Sequence, residues 1–201
     1  MRGVAGAVGA ATVGYLLGSI PSADIVARRS GTGVDLHSAG SGNPGALNTT
    51  QVLGAKWGAV VLVADVTKGA LAGLAGRALG RSPGAYIAAT AAVAGHIVPV
   101  WSGGRGGKGV ATSAGTTLTV FPAWFPADLA VVGTTAATKH DAERTMQVLS
   151  AVRVVAAIVW WRRRISNGWG PKVTLALPLY ALATGAMIVA KFRLARPSVA
   201  S

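Results

Sequence analysis

The chain has 201 residues, of which 51% are hydrophobic and only 12% are charged. Because an ordinary soluble domain carries about 25% charged residues, this composition all but excludes a water-soluble globule, and its apolar character excludes a disordered chain. Nineteen lysines and arginines against six aspartates and glutamates give a net charge of +13, and the absence of cysteine excludes disulfides and thiolate metal sites.

Six apolar segments are long enough to cross a bilayer, which takes about 20 mostly apolar residues. They are 3–23, 57–76, 83–101, 110–138, 145–161 and 173–190. The first also fits a secretory signal peptide, although its apolar run is longer than that of a typical leader. The fourth contains Pro122, Pro126 and Asp128, so it forms either one span or two. We therefore expect one all-α domain over residues 1–201, a polytopic transmembrane bundle of six or seven spans.

The basic residues lie mostly between these segments, as topology-determining charges do in membrane proteins. With the 28–56 loop in the cytoplasm, one of two basic clusters, 162–164 or 191–196, is left on the opposite side, depending on whether 110–138 splits. The charges form no basic face interleaved with aromatic residues, so we expect no nucleic-acid binding.

Two glycine-rich stretches have the composition of phosphate-binding loops. Loop 1 covers residues 34–54 and loop 2 covers residues 102–112. Glycine lets backbone N–H groups approach a ligand, and successive N–H groups beside a helix N-terminus attract anions. The run GGKG at 106–109 adds a cation before a helix predicted to begin at Val110, without the Walker A spacing. Alternatively, both stretches are flexible loops with solvating charges.

Polar residues and a proline interrupt the apolar segments. Residues 19–21, Ser-Ile-Pro, are predicted to kink or break the first helix. Asp65 and Lys68 share one face of the second span, as a structural ion pair or with Asp65 orienting Lys68 toward a phosphate. His96 lies near loop 2 and is either a hydrogen-bonded structural residue or part of a site. The histidines lack metal-ligand spacing, so no metal is expected.

Five segments follow one another along residues 14–115: GYLLGSIPSADIVA, DLHSAGSGNPGALN, VLGAKWG, DVTKG and GHIVPVWSGGRGGKGVATSAG. In this order and spacing they resemble the bacterial acyl-phosphate glycerol-3-phosphate acyltransferases. The resemblance implies a multi-pass protein of the bacterial inner membrane, with both glycine loops in the cytoplasm. It also implies transfer of an acyl chain from acyl phosphate to the 1-hydroxyl of glycerol 3-phosphate, giving lysophosphatidic acid without a cofactor, with these substrates and membrane lipids as partners.

The resemblance also implies site residues. Those matching the first family motif, which helps to hold the glycerol phosphate, are Ser41, Gly42, Asn43, Gly45 and Asn48. Those matching the second motif, interpreted as phosphate-binding, are Gly106, Gly107, Lys108 and Gly109. Lys68 and Arg105 are further phosphate-binding candidates, and the candidate catalytic residues are Ser41, Lys108 and His96. No nucleophilic triad is evident, which favours direct attack by the glycerol hydroxyl.

The chain departs from the family pattern at several positions. Leu47 stands where threonine is usual, and His37 and Gln51 stand where arginines are usual. The C-terminal KFRLARPSVAS lacks the family's His-Arg-x-Asn-x-x-Arg-Leu segment, although its cations could lie beside Lys108 and rebuild the site. Loss of guanidinium groups weakens phosphate binding. Two alternatives stay open: an impaired paralogue that binds phosphorylated lipid precursors or a partner enzyme, and an anion or phosphate-ester transporter.

Overall fold

The computed structural model describes residues 2–130 and 142–195, and these residues form helices joined by loops, with no strand among them. The helices are α1 (Arg2–Gly18), α2 (Ser22–Arg29), α3 (Ala46–Leu53), α4 (Ala55–Ile97), α5 (Val110–Val120), α6 (Ala142–Arg163) and α7 (Ala176–Leu194). Short 3₁₀ turns at Val100–Ser102 and Pro122–Trp124 flank α5, and a helical segment covers 125–130. The all-helical expectation is confirmed for this part of the chain.

The long helix α4 is a hairpin of two halves rather than one rod. Its backbone leaves helical geometry at Gly80 and at Arg81, where φ is 57°. Gly76 and Gly84 then lie in backbone contact across the bend. Eight residues of continuous helix would separate those glycines by about 12 Å, so the contact requires the two halves to fold against each other. The halves correspond to the predicted segments 57–76 and 83–101.

Glycines bring the N-terminal helices into backbone contact. Gly14 and Gly18 on α1 lie against the backbone of Ala88 and Ala92 in the second half of α4. A side chain at either glycine would collide with those carbonyl groups. Such small-xxx-small spacing is typical of close helix packing in membranes, where dispersion contacts must replace the hydrophobic effect. The same device joins α4 to α5, because Gly69 contacts the backbone of α5.

Bulky side chains hold the C-terminal helices together. One cluster packs α5, α6 and α7 against the second half of α4 through Tyr86, Phe121, Ala157, Leu177 and Tyr180. Arg153 of α6 lies within this region, and its guanidinium donates to the hydroxyls of Ser113 and Thr184 at 2.8 Å each. A buried arginine in an apolar bundle must have such partners, because an unpaired charge there is costly.

Three segments of the described residues are long and apolar enough to cross a membrane: Gly3–Arg29, Ala55–Ser102 and Ala176–Leu194. The first is broken at residues 19–21, as predicted, and the second contains the α4 hairpin. Helix α5 has 11 residues, about 16 Å, which is too short to cross a bilayer alone. The predicted segment 110–138, given as one span or two, lies partly outside the described residues.

Candidate active site

A cavity of about 420 Å³ lies between loop 1, loop 2 and the ends of α6 and α7. We call it the main cavity. Of the residues proposed from the sequence, it is lined by Ser41, Asn43, Gly45, Asn48, His96, Lys108 and Gly109. Residues from both glycine loops, about 60 positions apart in the chain, therefore meet around one space.

Asn48 organises loop 1 from the beginning of α3. Its side chain is buried, and its Oδ1 accepts from the Ser41 N–H at 2.7 Å. Its Nδ2 donates to the carbonyls of Leu36 and Ala39 at 3.1 and 3.0 Å. These bonds close the loop around the amide, and Gly40, with φ of 62°, leaves the room that the amide needs. The sequence predicted that the Asn48 amide binds substrate, but its oxygen and nitrogen both bond to the loop backbone and shape loop 1.

Loop 2 packs its central glycines against His96 and loop 1. A Cβ atom on Gly107 would lie 2.5 Å from the His96 Nε2 and 2.8 Å from the Pro44 carbonyl oxygen. Gly106 similarly contacts the His96 carbonyl, and Gly109 has φ of 85° just before α5 begins at Val110. The predicted helix start is confirmed, and the glycines are needed because the two loops touch through their backbones.

Asp65 and Lys68 form a buried ion pair in the first half of α4, with Nζ 2.8 Å from Oδ1. Lys68 also donates to the Ile20 carbonyl at 2.8 Å, at the break between α1 and α2. The same Oδ1 lies 3.6 Å from the His96 Nδ1, which is also 3.0 Å from the Thr112 hydroxyl. The cluster joins the α1–α2 break, both halves of α4, and α5.

Four of the five remaining candidates lie around a second, smaller cavity. Lys68, Arg105, Gly106 and Gly107 line this space of about 20 Å³, which holds roughly one water molecule. Asp65 and His96 line both cavities and stand between them. Gly42 lines neither cavity and serves the turn of loop 1, with φ of 67°. The predicted residues therefore divide between two adjoining spaces rather than sharing one.

The end of α7 reaches the main cavity and contacts Lys108. The Lys108 Nζ lies 4.2 Å from the centroid of the Phe192 ring, and Phe192 lines the cavity. Burial lowers the pKa of Lys108 below its usual value of 10.5, while the Glu143 carboxylate acts to raise it. Of the C-terminal cations, Arg193 is exposed and lies 3.9 Å from Glu143, and Arg196 is outside the described residues.

Sequence reasoning missed a contact that joins three segments beside the smaller cavity. Asp24 of α2 lies 3.0 Å from the His37 Nε2 in loop 1 and accepts from the Ser102 hydroxyl in loop 2 at 3.0 Å. His37, which stands where the family has arginine, is therefore turned toward α2. The backbone N–H of His37 also bonds to Asp35 and lowers the pKa of that carboxyl. No local pattern signals these contacts, since the partners are up to 78 residues apart.

The described residues contain no group of three histidine, cysteine or acidic side chains arranged to hold a metal ion. The sequence model of the family "Glycerol-3-phosphate acyltransferase" matches residues 8–196. The chain belongs to the glycerol-3-phosphate acyltransferase family. This confirms the assignment made from the five motifs.

Relatives named glycerol-3-phosphate acyltransferase extend the match. A Myxococcus xanthus protein is 51% identical over 112 residues, 55% of this chain and 58% of the relative. An Exiguobacterium sibiricum protein is 47% identical over 118 residues, 59% of this chain and 57% of the relative. A Bacillus cereus protein is 41% identical over 147 residues, 73% of this chain and 74% of the relative. In the first two, the chain spans little more than half of the relative's length.

The fold matches a solved membrane protein over almost its whole length. A crystal structure of PlsY (YgiH), an integral membrane glycerol 3-phosphate acyltransferase in its glycerol 3-phosphate form, has a TM-score of 0.77. Sequence identity is 29%, and the match covers 94% of this chain and 88% of that chain. The lysophosphatidic acid form of the same protein matches with a TM-score of 0.76. The similarity includes α6 and α7, where the sequence carried no recognised motif.

Proposed function

We propose that this protein transfers an acyl chain from acyl phosphate to the 1-hydroxyl of glycerol 3-phosphate, forming lysophosphatidic acid for phospholipid biosynthesis. The observation that carries the proposal is the meeting of loop 1, Lys108 and His96 around the main cavity. Family membership and the glycerol 3-phosphate and lysophosphatidic acid forms of the solved PlsY support it.

The main cavity has the chemistry to hold a phosphate ester. Ser41 and Asn43 line it with groups that bond to phosphate oxygens, and Lys108 supplies a positive charge at its edge. The N-terminus of α5 begins two residues after Lys108 and adds its unpaired N–H groups to the same side. Because Lys108 is half-buried, its attraction for a phosphate is less screened by water than that of a surface lysine.

The reaction needs no enzyme nucleophile. The 1-hydroxyl attacks the carbonyl carbon of the acyl phosphate, the bond from that carbon to the phosphate oxygen breaks, and the hydroxyl proton passes to a substrate phosphate. Lys108 holds the phosphate of glycerol 3-phosphate and stabilises the negative charge that develops beside it in the transition state, and Ser41 orients the acceptor hydroxyl. His96 has its Nδ1 beside Asp65 and Thr112, so we assign it to positioning the wall between the two cavities.

We place the protein in the bacterial inner membrane as one multi-pass domain with six or seven spans, both glycine loops in the cytoplasm. Apolar side chains on the outside of the helices support a lipid environment; Val4, Val8, Leu74 and Leu79 are each at least half exposed. Substrates made in the cytoplasm would then reach the main cavity directly. Three described segments are long and apolar enough to cross a membrane, and they contain the predicted spans 3–23, 57–76 and 83–101 and most of 173–190. The other spans of the proposed arrangement are the predicted segments 110–138 and 145–161.

One observation favours a second candidate, an impaired paralogue that binds the substrate without turnover. Gln51 lines the main cavity where the family pattern has arginine, so a bidentate phosphate contact is replaced by a neutral amide. Under this alternative, glycerol 3-phosphate binds in the same cavity, but no lysophosphatidic acid forms.

The test uses the full-length protein purified in detergent and supplied with palmitoyl phosphate and labelled glycerol 3-phosphate. We expect lysophosphatidic acid from the wild type and from Lys56→Ala, because Lys56 is exposed and lines neither cavity. We expect at least a hundredfold less from Lys108→Ala, since a group that stabilises the transition state contributes about 10²–10³ in rate. Equal product from wild type and Lys108→Ala contradicts the assignment, and binding without product selects the paralogue.

A further inference from the structure

Phe192 is held in a fixed position at the end of α7. Its side chain is 9% exposed and packs with Val93, Ile97, Met146 and Ile188. These neighbours come from the second half of α4, from α6 and from α7 itself, so three helices fix the ring. A buried side chain with neighbours on several helices keeps one rotamer, which makes its ring face a fixed surface.

Lys108 carries its charge at the end of a flexible side chain of four methylene groups. Its position in loop 2 brings that side chain against the Phe192 ring. Its ammonium lies 4.2 Å from the ring centroid, well inside the distance of about 6 Å at which a cation and an aromatic face attract. Lys108 is half-buried, which strengthens such attraction because water competes less. The ring meets the ammonium from one direction and lines the same cavity as Ser41 and Asn43.

We propose that Phe192 is a positioning residue, which holds the Lys108 ammonium charged and directed into the main cavity by a cation–π contact. This inference rests on the proposed function for its effect on turnover, but the contact itself does not. The ring takes the place that a hydrogen-bonding acceptor would otherwise occupy, and it leaves the ammonium's N–H groups available to an anion. The Glu143 carboxylate on α6 also favours the charged form of Lys108, and it is unchanged in every Phe192 variant.

The structure predicts a specific kinetic signature for Phe192→Leu, which keeps apolar volume and removes the ring. The KM for glycerol 3-phosphate rises about fivefold, because the ammonium is no longer directed into the cavity. Phe192→Tyr keeps the ring and stays near the wild type. In a Lys108→Gln background, Phe192→Leu changes the KM for glycerol 3-phosphate by less than about twofold, because the ring then has no charge to position. Where turnover is too slow to measure, the Kd for glycerol 3-phosphate is compared instead.

A second measurement needs no turnover: acetylation of Lys108 by acetic anhydride, followed across pH by peptide mass spectrometry with Lys56 as internal reference. Removing the ring favours the neutral amine, so the pH midpoint for Lys108 moves down by about half a unit in Phe192→Leu. Phe192→Met serves the same purpose if the leucine variant does not fold. Phe121→Leu is the matched control, because Phe121 is a buried aromatic residue in the other cluster.

The outcomes separate the two proposals. A shifted midpoint with a wild type that forms no lysophosphatidic acid supports the Phe192 contact and rejects the acyltransfer reaction. An unshifted Lys108 midpoint in both Phe192→Leu and Phe192→Met overturns the positioning role, whatever the activity. A shift of the same size in Phe121→Leu also overturns it, because general loosening of the bundle would then explain the change.

Discussion

The N-terminal half, up to about residue 115, and the C-terminal half of this protein pack in different ways. In the N-terminal half, glycines such as Gly14 and Gly18 bring helix backbones into contact. In the C-terminal half, large side chains such as Phe121 and Tyr180 fill the space between helices. The five recognised motifs all fall in the N-terminal half, which supplies both loops of the main cavity.

This contrast in packing explains why the recognised motifs lie in one half of the chain and not in the other. A backbone contact tolerates one residue type, glycine, so it leaves a readable sequence pattern. A side-chain core accepts many combinations of similar volume, so the same fold leaves little pattern in the sequence. The C-terminal half nevertheless lines the cavity with Ala142, Met146 and Phe192. Its contribution to the site is a wall rather than a loop.

Stability is most sensitive to substitution at the backbone contact between α1 and α4. Gly18→Val places a branched side chain against the Ala92 carbonyl, and we expect a loss of about 3 kcal/mol or more in the free energy of unfolding. Gly3→Val is the matched control, because nothing lies within 4 Å of a Cβ there. Thermal unfolding in detergent measures both. A Tm for Gly18→Val equal to that of Gly3→Val would show that the close packing is not needed.

Two buried asparagines allow the halves to be compared directly. Asn48 donates to two backbone carbonyls in loop 1, and Asn167 donates to the carbonyls of Val120 and Pro171. We expect each Asn→Ala variant to lose about 2 kcal/mol of stability. Only Asn48→Ala should reduce kcat/KM, by at least about tenfold, because loop 1 shapes the cavity. An equal loss of kcat/KM in Asn167→Ala would erase the distinction between the halves.

The pH dependence of binding tests the role of burial at Lys108. Its ammonium form is lost as pH rises through a pKa that burial lowers below 10.5. We therefore expect the affinity for glycerol 3-phosphate to fall by about tenfold across that range, before an exposed lysine would titrate. Lys108→Arg keeps its charge and should abolish the fall. Calorimetry across pH measures it, and an alkaline fall that persists in Lys108→Arg would assign the titration elsewhere.

Much of the fold follows from the sequence, because apolar length and helix breakers are local signals. The break at residues 19–21 and the start of α5 at Val110 both agree with prediction. The Asp65–Lys68 pair also follows from its spacing. The contact of Phe192 with Lys108 and that of Asp24 with His37 could not be predicted, because tertiary packing alone brings them together. For the same reason, the sequence could not predict that Lys68 and Arg105 line the smaller cavity rather than the main cavity.

A smaller change in KM is expected at Gln51, which stands where the family pattern has arginine. Gln51→Arg adds a guanidinium to the wall of the main cavity, and we expect the KM for glycerol 3-phosphate to fall about fivefold through a bidentate phosphate contact. His37→Arg is the comparison, because His37 faces Asp24 and lines neither cavity, so its KM should change less than about twofold. A greater gain from His37→Arg would mean that the phosphate lies on the α2 side of loop 1.

The most direct measurement is the position of bound glycerol 3-phosphate in an experimental structure of the wild-type protein. We expect the phosphate in the main cavity, within about 3 Å of the Lys108 Nζ and beside Ser41. A phosphate held by Lys68 and Arg105 in the smaller cavity, with none in the main cavity, would show that the main cavity is not the binding site.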